Sequence, residues 1–533
     1  SYFYIALGVM ARFMPPLIAL RIMLFIICLV LIWGIDCLRR AFGGPWLATY
    51  IAVALLLLHN PWSLGGSASI IRDPTPGPFA IGICLFGLAS FLRGFYVRAF
   101  AIIGLAANVH ASYAIFTAAL CAPYLTWRIR EIGWHTLLKA VAASLAAASP
   151  LFLLISLSPG LPGDVPSFSD WFSVVSVRSA GHVLPLSWPL ATYLRFVPTL
   201  FLLPLVCAGV KKKEVRLKLY SVVIGFGLLC LGGFVFTELL PVRQVIQLTA
   251  FRSSHFIMLI GVVGSTVVLL PRMQRNRLLL AIVLSFWTSY FIGVPALALA
   301  LLAGTFLAVF QRGNQIVRYT LGGVAAGMAI FTGTSVGMPN SDVLIPLAAM
   351  LTVFVPISLI RHRSRHIVLP ILGLFFLVTL GVMGFYESYS DQTRAYRYAK
   401  QDIEYWLQYN TSVDSLAIVP PNSRTWSGFS QRGVFFTYFD LGLIIYSPPL
   451  LPEGMRRATE FVPDFKASLA GITGRDLRNA LESGFNNWTT SDYQRISREY
   501  NCSVAVVEKP MRLPFELAYE NAFFSVYWIP PGI

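Results

Sequence analysis

The chain has 533 residues, of which 56% are hydrophobic and only 12% charged, and its mean hydropathy is +0.69. Those values exclude a water-soluble globular fold. The net charge of +17 would suit a nucleic-acid binder, but most of the excess sits in short basic clusters between apolar runs, where anionic lipid headgroups are the expected neighbours; no nucleic-acid partner is expected.

Apolar runs extend over Pro16 to Cys37, Leu47 to His59, Pro78 to Leu92, Ala99 to Val109, Ser112 to Trp127, Leu138 to Leu157 and Leu190 to Val210. Further runs cover Tyr220 to Phe236, Ser254 to Leu270, Leu278 to Ile292, Pro295 to Phe310, Tyr319 to Val336, Val343 to Ile360 and Ile367 to Phe385. They predict an α-helical polytopic membrane domain over residues 1–386 with about 14 crossings, several shorter than the roughly 20 residues of a perpendicular span. The basic clusters at Arg39–Arg40, Arg93–Arg98, Arg128–Lys139, Lys211–Lys218, Arg272–Arg277, Arg312–Arg318 and Arg361–Arg365 are separated by even numbers of crossings. All then lie on the inner side, and the loops at His59 to Pro78, Ser158 to Pro189, Thr237 to Ser253 and Gly337 to Asp342 lie outside. Ser1 to Met14 is expected on the outer surface or as the end of a helix that begins upstream. The longest outer loop, Ser158 to Pro189, mixes Pro, Gly, Trp and Phe with few charges, which predicts a partly ordered segment at the membrane surface.

After Tyr386 the charge density rises and the apolar runs shrink to strand length. Helices are expected at Ala395 to Tyr409, Glu453 to Val462, Thr473 to Ser483 and Ser491 to Tyr500, and strands at Ser415 to Val419, Gly433 to Tyr438, Ser503 to Glu508 and Ala522 to Ile529. The alternation predicts a small α/β domain over residues 387–533, placed on the outer face by the crossing count.

Polar residues near the outer ends of membrane helices are the candidates for function, because they are costly there unless they face a cavity. Arg72 and Asp73 lie in the loop GGSASIIRDPTPGPF; Asp73 reads either as a base or metal ligand, or as a helix cap before Pro74 and Pro76. Asn108, His110, Ser112 and Tyr113 interrupt two apolar halves, and His110 reads as a phosphate contact or as a satisfied turn residue. Glu238, Arg243, Gln244, Gln247, Arg252 and His255 frame another helix start. There Arg243 and Arg252 suit an anion, since a guanidinium grips phosphate oxygens with two hydrogen bonds, although lipid headgroups would occupy them equally well. Asp164, Asp170, Arg178 and His182 match no metal spacing and read as solvated loop residues. No P-loop, nucleotide fingerprint, zinc signature or nucleophile elbow is present. Asn410, Asn487 and Asn501 begin N-x-S/T triplets, which carry glycans only in a host that makes them.

Many membrane helices followed by an outer α/β domain resemble the GT-C glycosyltransferases, the group of oligosaccharyltransferases, protein mannosyltransferases and arabinosyltransferases. PGPFAIGICLFGLASFLRG and FAIIGLAANVHASYAIFTAAL are similar to that family's run of short helices ending in an outer His, and SREYNCSVAVVEKP with LAYENAFFSVYWIP is similar to the closing strands of its outer domain. The resemblance implies transfer of a sugar from a polyprenyl-phosphate donor to an outer-face acceptor, by a multi-pass protein of the plasma (inner) membrane. For that chemistry the loop residues named above supply Asp73 as a substitute catalytic base and Arg72, His110, Arg243, Arg252 and His255 around the phosphate. No cofactor is required, although some members use a divalent metal ion. The family's catalytic acid normally lies after the first membrane helix; Ser1 to Met14 contains none, so Asp73 is a substitute. The rival reading is a non-catalytic GT-C-like subunit whose outer aromatics (Tyr405, Trp406, Trp426, Trp488, Tyr527, Trp528) dock membrane protein partners.

Overall fold

A computed structural model of the chain describes residues 1–58, 63–65, 75–157, 164–273, 283, 391–422, 426 and 430–530. The runs expected between Leu278 and Phe385, the two basic clusters and the outer loop among them, and the domain boundary at residue 386 lie outside the described residues.

In chain order the helices are α1 (Tyr2–Phe13), α2 (Pro16–Phe42), α3 (Leu47–Leu58), α4 (Pro76–Leu92), α5 (Tyr96–Ala107), α6 (Ala111–Trp127), α7 (Ile129–Ile132) and α8 (Trp134–Leu157). Then come α9 (Phe168–Arg178), α10 (Ala180–Val183), α11 (Leu190–Gly209), α12 (Lys213–Phe234), α13 (Arg243–Leu248) and α14 (Ser254–Met273). The chain divides into two compact units. One comprises Ser1–Ser158 with Pro185–Met383; the other comprises Pro159–Leu184 with Gly384–Ile533.

The first unit is a bundle of apolar helices. Among the described residues four stretches are long and apolar enough to cross a membrane: Pro16–Phe42, Trp134–Leu157, Lys213–Leu239 and Arg243–Arg272. Shorter apolar helices fill the bundle between them, as runs too short for a perpendicular crossing require. At its centre α14 is buried along its apolar length, from Phe256 to Leu270. Close approaches need residues without a Cβ. A Cβ on Gly104 would overlap the Ser144 carbonyl where α5 meets α8, and one on Gly225 would strike Ala119 and Leu120 where α12 meets α6.

One end of this bundle collects the basic residues. Asp36 of α2 pairs with Arg39 at 2.8 Å and Arg40 at 2.6 Å. Gly44, just beyond, touches Val267 near the Arg272 end of α14. Lys218 Nζ donates to the Leu92 carbonyl at 3.3 Å beside Arg93, and Glu214 accepts from Tyr124 at 2.8 Å and from Arg128 at 3.3 Å. The N-termini of α4, α6 and α14 therefore share the opposite end.

The second unit holds a five-stranded sheet ordered β2-β1-β3-β5-β4, built from β1 (Leu416–Ile418), β2 (Gly433–Val434), β3 (Cys502–Glu508), β4 (Glu516–Glu520) and β5 (Phe524–Trp528). β1 runs parallel to β2 and β3, while β5 is antiparallel to β3 and β4. In β3, Val504 to Val507 are all buried, the unbroken apolar run of a strand covered on both faces. Helices α15 (Asp391–Asn410), α16 (Asp440–Leu443), α17 (Leu451–Thr459), α18 (Phe465–Ser468), α19 (Gly474–Asn486) and α20 (Thr490–Tyr500) complete the unit. Thr473 with Asp476 and Thr489 with Asp492 form capping boxes at the starts of α19 and α20, which satisfies backbone N–H groups that no helical carbonyl can reach.

Three expectations are revised. Gly433 to Tyr438 is a strand only to Val434, because the Asp440 carboxylate draws the Thr437 N–H into a turn at 2.6 Å. No strand was expected between Glu508 and Ala522, yet Glu516–Glu520 forms β4 at the sheet edge, where the polar Glu516 and Glu520 are tolerated. The outer loop expected at the membrane surface instead supplies α9 to the second unit. Trp171 is fully buried and its indole donates to the Ile444 carbonyl at 3.0 Å. Asp170 pairs with Lys466 at 2.6 Å, and Arg178 donates to the Tyr438 carbonyl at 3.0 Å while lying 4.2 Å from that ring's centroid. Arg178 is thus a packing residue of that unit, whereas Asp170 stays at the surface in an exposed ion pair.

Candidate functional site

At the end of the bundle opposite the basic loops, a break between α5 and α6 sets the first side chains. Asn108 fixes that break. Its Nδ2 donates to the Ala147 carbonyl at 2.8 Å and its Oδ1 accepts from Leu151 N–H at 2.8 Å, two groups that would pair with each other in an uninterrupted helix. Pro150 sits between them in α8, so the carboxamide mends a ladder that proline disturbs. Asn108 is therefore structural.

His110 precedes α6 in extended conformation and caps nothing with its side chain. Its ring lies 4.9 Å from that of Tyr113, which in turn lies 5.9 Å from His255 and 6.1 Å from Phe256, both in the first turn of α14. Tyr113 is buried, and Gly77 at the start of α4 faces its ring. Tyr113 thus joins the three helix starts and belongs to the site; the sequence placed it in the same polar interruption as His110 without giving it a role.

The turn ahead of α14 brings the arginine. A 3-10 turn over Ala250–Ser253 follows Thr249, whose left-handed backbone (φ 53) reverses the chain after α13. The Arg252 carbonyl accepts from His255 Nδ1 at 2.7 Å, which places the proton of a neutral ring on that nitrogen. Arg252 is close enough to act electrostatically on both His110 and His255. Its Nε is buried without a hydrogen-bond partner among the described residues, as are His110 Nδ1 and the hydroxyl of Ser253, a residue with 0% exposure. Ser254, next in line, exchanges hydrogen bonds with the backbone of Leu64 at 3.0 and 3.5 Å. Ser253 carried a legible signal, since a serine pair ahead of an apolar run is a helix-start pattern.

Other nominated residues stand elsewhere. Arg243 opens α13, half-buried and engaged with partners of its own. Glu238 accepts from the Leu186 N–H at 2.7 Å. Arg72 and Asp73 lie outside the described residues. Among the described residues no group of three or more His, Cys, Asp or Glu could hold a metal ion.

An apolar groove of about 640 Å³ starts beside this turn. Val245, Leu248 and Ala250 line one end, Gly225 and Gly232 of α12 its side, and Trp127 of α6 the far end. The cluster can therefore do two things: present a guanidinium, a hydroxyl and an imidazole to an anion at the start of a buried helix, whose N-terminal dipole favours negative charge, and accept a hydrocarbon chain alongside. No family model, curated protein or solved structure matches the chain.

Proposed function

We propose that the protein is a GT-C-like membrane glycosyltransferase of the plasma (inner) membrane that moves a sugar from a polyprenyl-phosphate donor to an outer-face acceptor. In this reading the bundle makes about 14 crossings, and the His110–His255 end and the C-terminal unit face outward. The observation that carries it is the set of unpartnered polar atoms at the starts of α6 and α14, which Tyr113 links: Arg252 Nε, Ser253 Oγ and His110 Nδ1. Buried polar atoms without partners are costly, and the phosphate oxygens of a ligand would satisfy all three. The donor's lipid would follow the groove from Ala250 towards Trp127.

The reaction is an inverting displacement. The acceptor hydroxyl attacks the anomeric carbon as Asp73 takes its proton, and the bond from that carbon to the phosphate oxygen breaks. The second negative charge that then develops on the phosphate is met by Arg252 and the N-terminus of α14. His255 positions Arg252 by holding its carbonyl.

The scaffold reading rests on the aromatic side chains of the second unit, Trp406, Trp488 and Trp528 among them, which supply protein contact anchors as readily as sugar platforms. Transfer from a labelled polyprenyl-phosphate sugar decides between the two. Asp73→Asn is expected to abolish turnover while the protein stays folded, because an amide cannot accept the proton. Equal nonzero rates remove Asp73 from the mechanism, and absence of transfer from the wild type across several donors supports the scaffold.

A further inference from the structure

A second apolar groove lies on the other flank of α6 and shares only Ala119, Ala122 and Thr126 with the first. Its volume is about 570 Å³, with Ala118 and Ala122 as its floor, Phe100 and Val141 on its walls, and Ile129 and Trp134 at its basic-end mouth. Ile129 is flanked in the chain by Arg128 and Arg130, and Lys139 follows in α8 between the lining residues Leu137 and Ala140. Arg128 lies over the Trp127 ring at 5.2 Å, pairs with Glu131 and with Glu214, and leaves its Nε buried without a partner among the described residues. Arg130 and His135 are exposed, and neither forms an ion pair among the described residues. Trp127 and Trp134 are exposed as well, at 65% and 67%; two bare indoles at the ends of apolar helices mark the level of lipid headgroups.

We infer that this groove seats one acyl chain of an anionic phospholipid, whose phosphate rests on the Arg128–Arg130 turn in the leaflet on the side of the basic loops. The lining gives an apolar chain everything it needs and a polar ligand nothing. Charge selects the headgroup. Arg128, Arg130 and Lys139 outnumber Glu131 and Glu214 on this stretch, with Arg130 and Lys139 exposed and in no ion pair among the described residues, and a basic pocket between membrane helices favours anionic lipids.

The test uses the full chain in detergent with added phosphatidylglycerol or phosphatidylcholine of matched tails, and native mass spectrometry to read the retained lipid. Phosphatidylglycerol should be retained preferentially. Arg130→Gln should weaken its retention about fivefold, the weight of one basic side chain at an anionic surface, and leave phosphatidylcholine unchanged. Because Arg130 is exposed, that variant does not endanger the fold. Ala118→Phe, which fills this groove and not the one beside α12, should remove the tightly held lipid. Equal retention of the two lipids, or undiminished phosphatidylglycerol in Arg130→Gln, would overturn the inference. So would a photo-crosslinker at position 118 that captures a protein helix instead of lipid.

Discussion

Trp171→Ala should strongly destabilise the second unit, although Trp171 lies more than two hundred residues from that unit's sheet in sequence. The side chain has 0% exposure, and truncating a buried Trp costs about 3–5 kcal/mol. Its indole also supplies the hydrogen bond to the Ile444 carbonyl at 3.0 Å, and stranding that acceptor adds about 1–3 kcal/mol. A loss of about 4 kcal/mol or more is a large part of a domain's stability of 5–15 kcal/mol. Hydrogen exchange on the full chain reads it at the amides of β3, which open only when the sheet does. A loss of about 4 kcal/mol should lower their protection roughly 700-fold, whereas Trp171→Phe, which keeps most of the ring and loses the donor, should lower it far less. A fall of less than tenfold for the alanine variant, or faster exchange confined to α9, would show that α9 is an appendage rather than part of this unit's core.

The carboxyls of Asp170, Glu453, Asp476 and Asp492 are held below their ordinary values, by Lys466, Arg456, Thr473 and Thr489 respectively. The stability they confer is complete above about pH 4.5 and is lost as pH falls through their lowered values. Asp440 acts in the opposite sense, because burial raises it and its contribution disappears as pH rises through the raised value. With four groups against one, the melting temperature of this unit should fall between pH 5 and pH 3; a rise would refute the assignment. For orientation, a cysteine introduced at Lys213 should react with an impermeant reagent only from the cytoplasm and one at Arg475 only from outside, both positions being exposed, and the reverse pattern would overturn the topology.

Hydropathy and charge made the bundle legible, because one apolar run yields one helix whatever its neighbours do. The break at His110 was legible for the same reason, being a polar interruption between two apolar halves. The role of Asn108 was not, since the damaged rung it mends belongs to α8, forty residues away. Likewise α9 read as a surface segment: its apolar residues look equally suited to lipid and to a protein groove, and only the tertiary fold assigns Trp171 to Ile444. At the site, His110, Arg252 and His255 were nominated separately from local pattern, and Tyr113 is what joins them. Ser253 was passed over because one hydroxyl before a helix carries little weight until its burial is known.

Binding of polyprenyl phosphate to the full chain tests the central claim most directly, through the wild type, Arg252→Lys and Ser253→Ala. The lysine keeps the charge but loses the second prong, and Ser253→Ala removes a hydroxyl of net value about 1.5–3 kcal/mol when it meets a charged group. The account predicts saturable binding by the wild type and affinities lower by about tenfold or more in both variants, with unchanged melting temperatures. Wild-type affinity in both variants, or no saturable binding by the wild type, would contradict it.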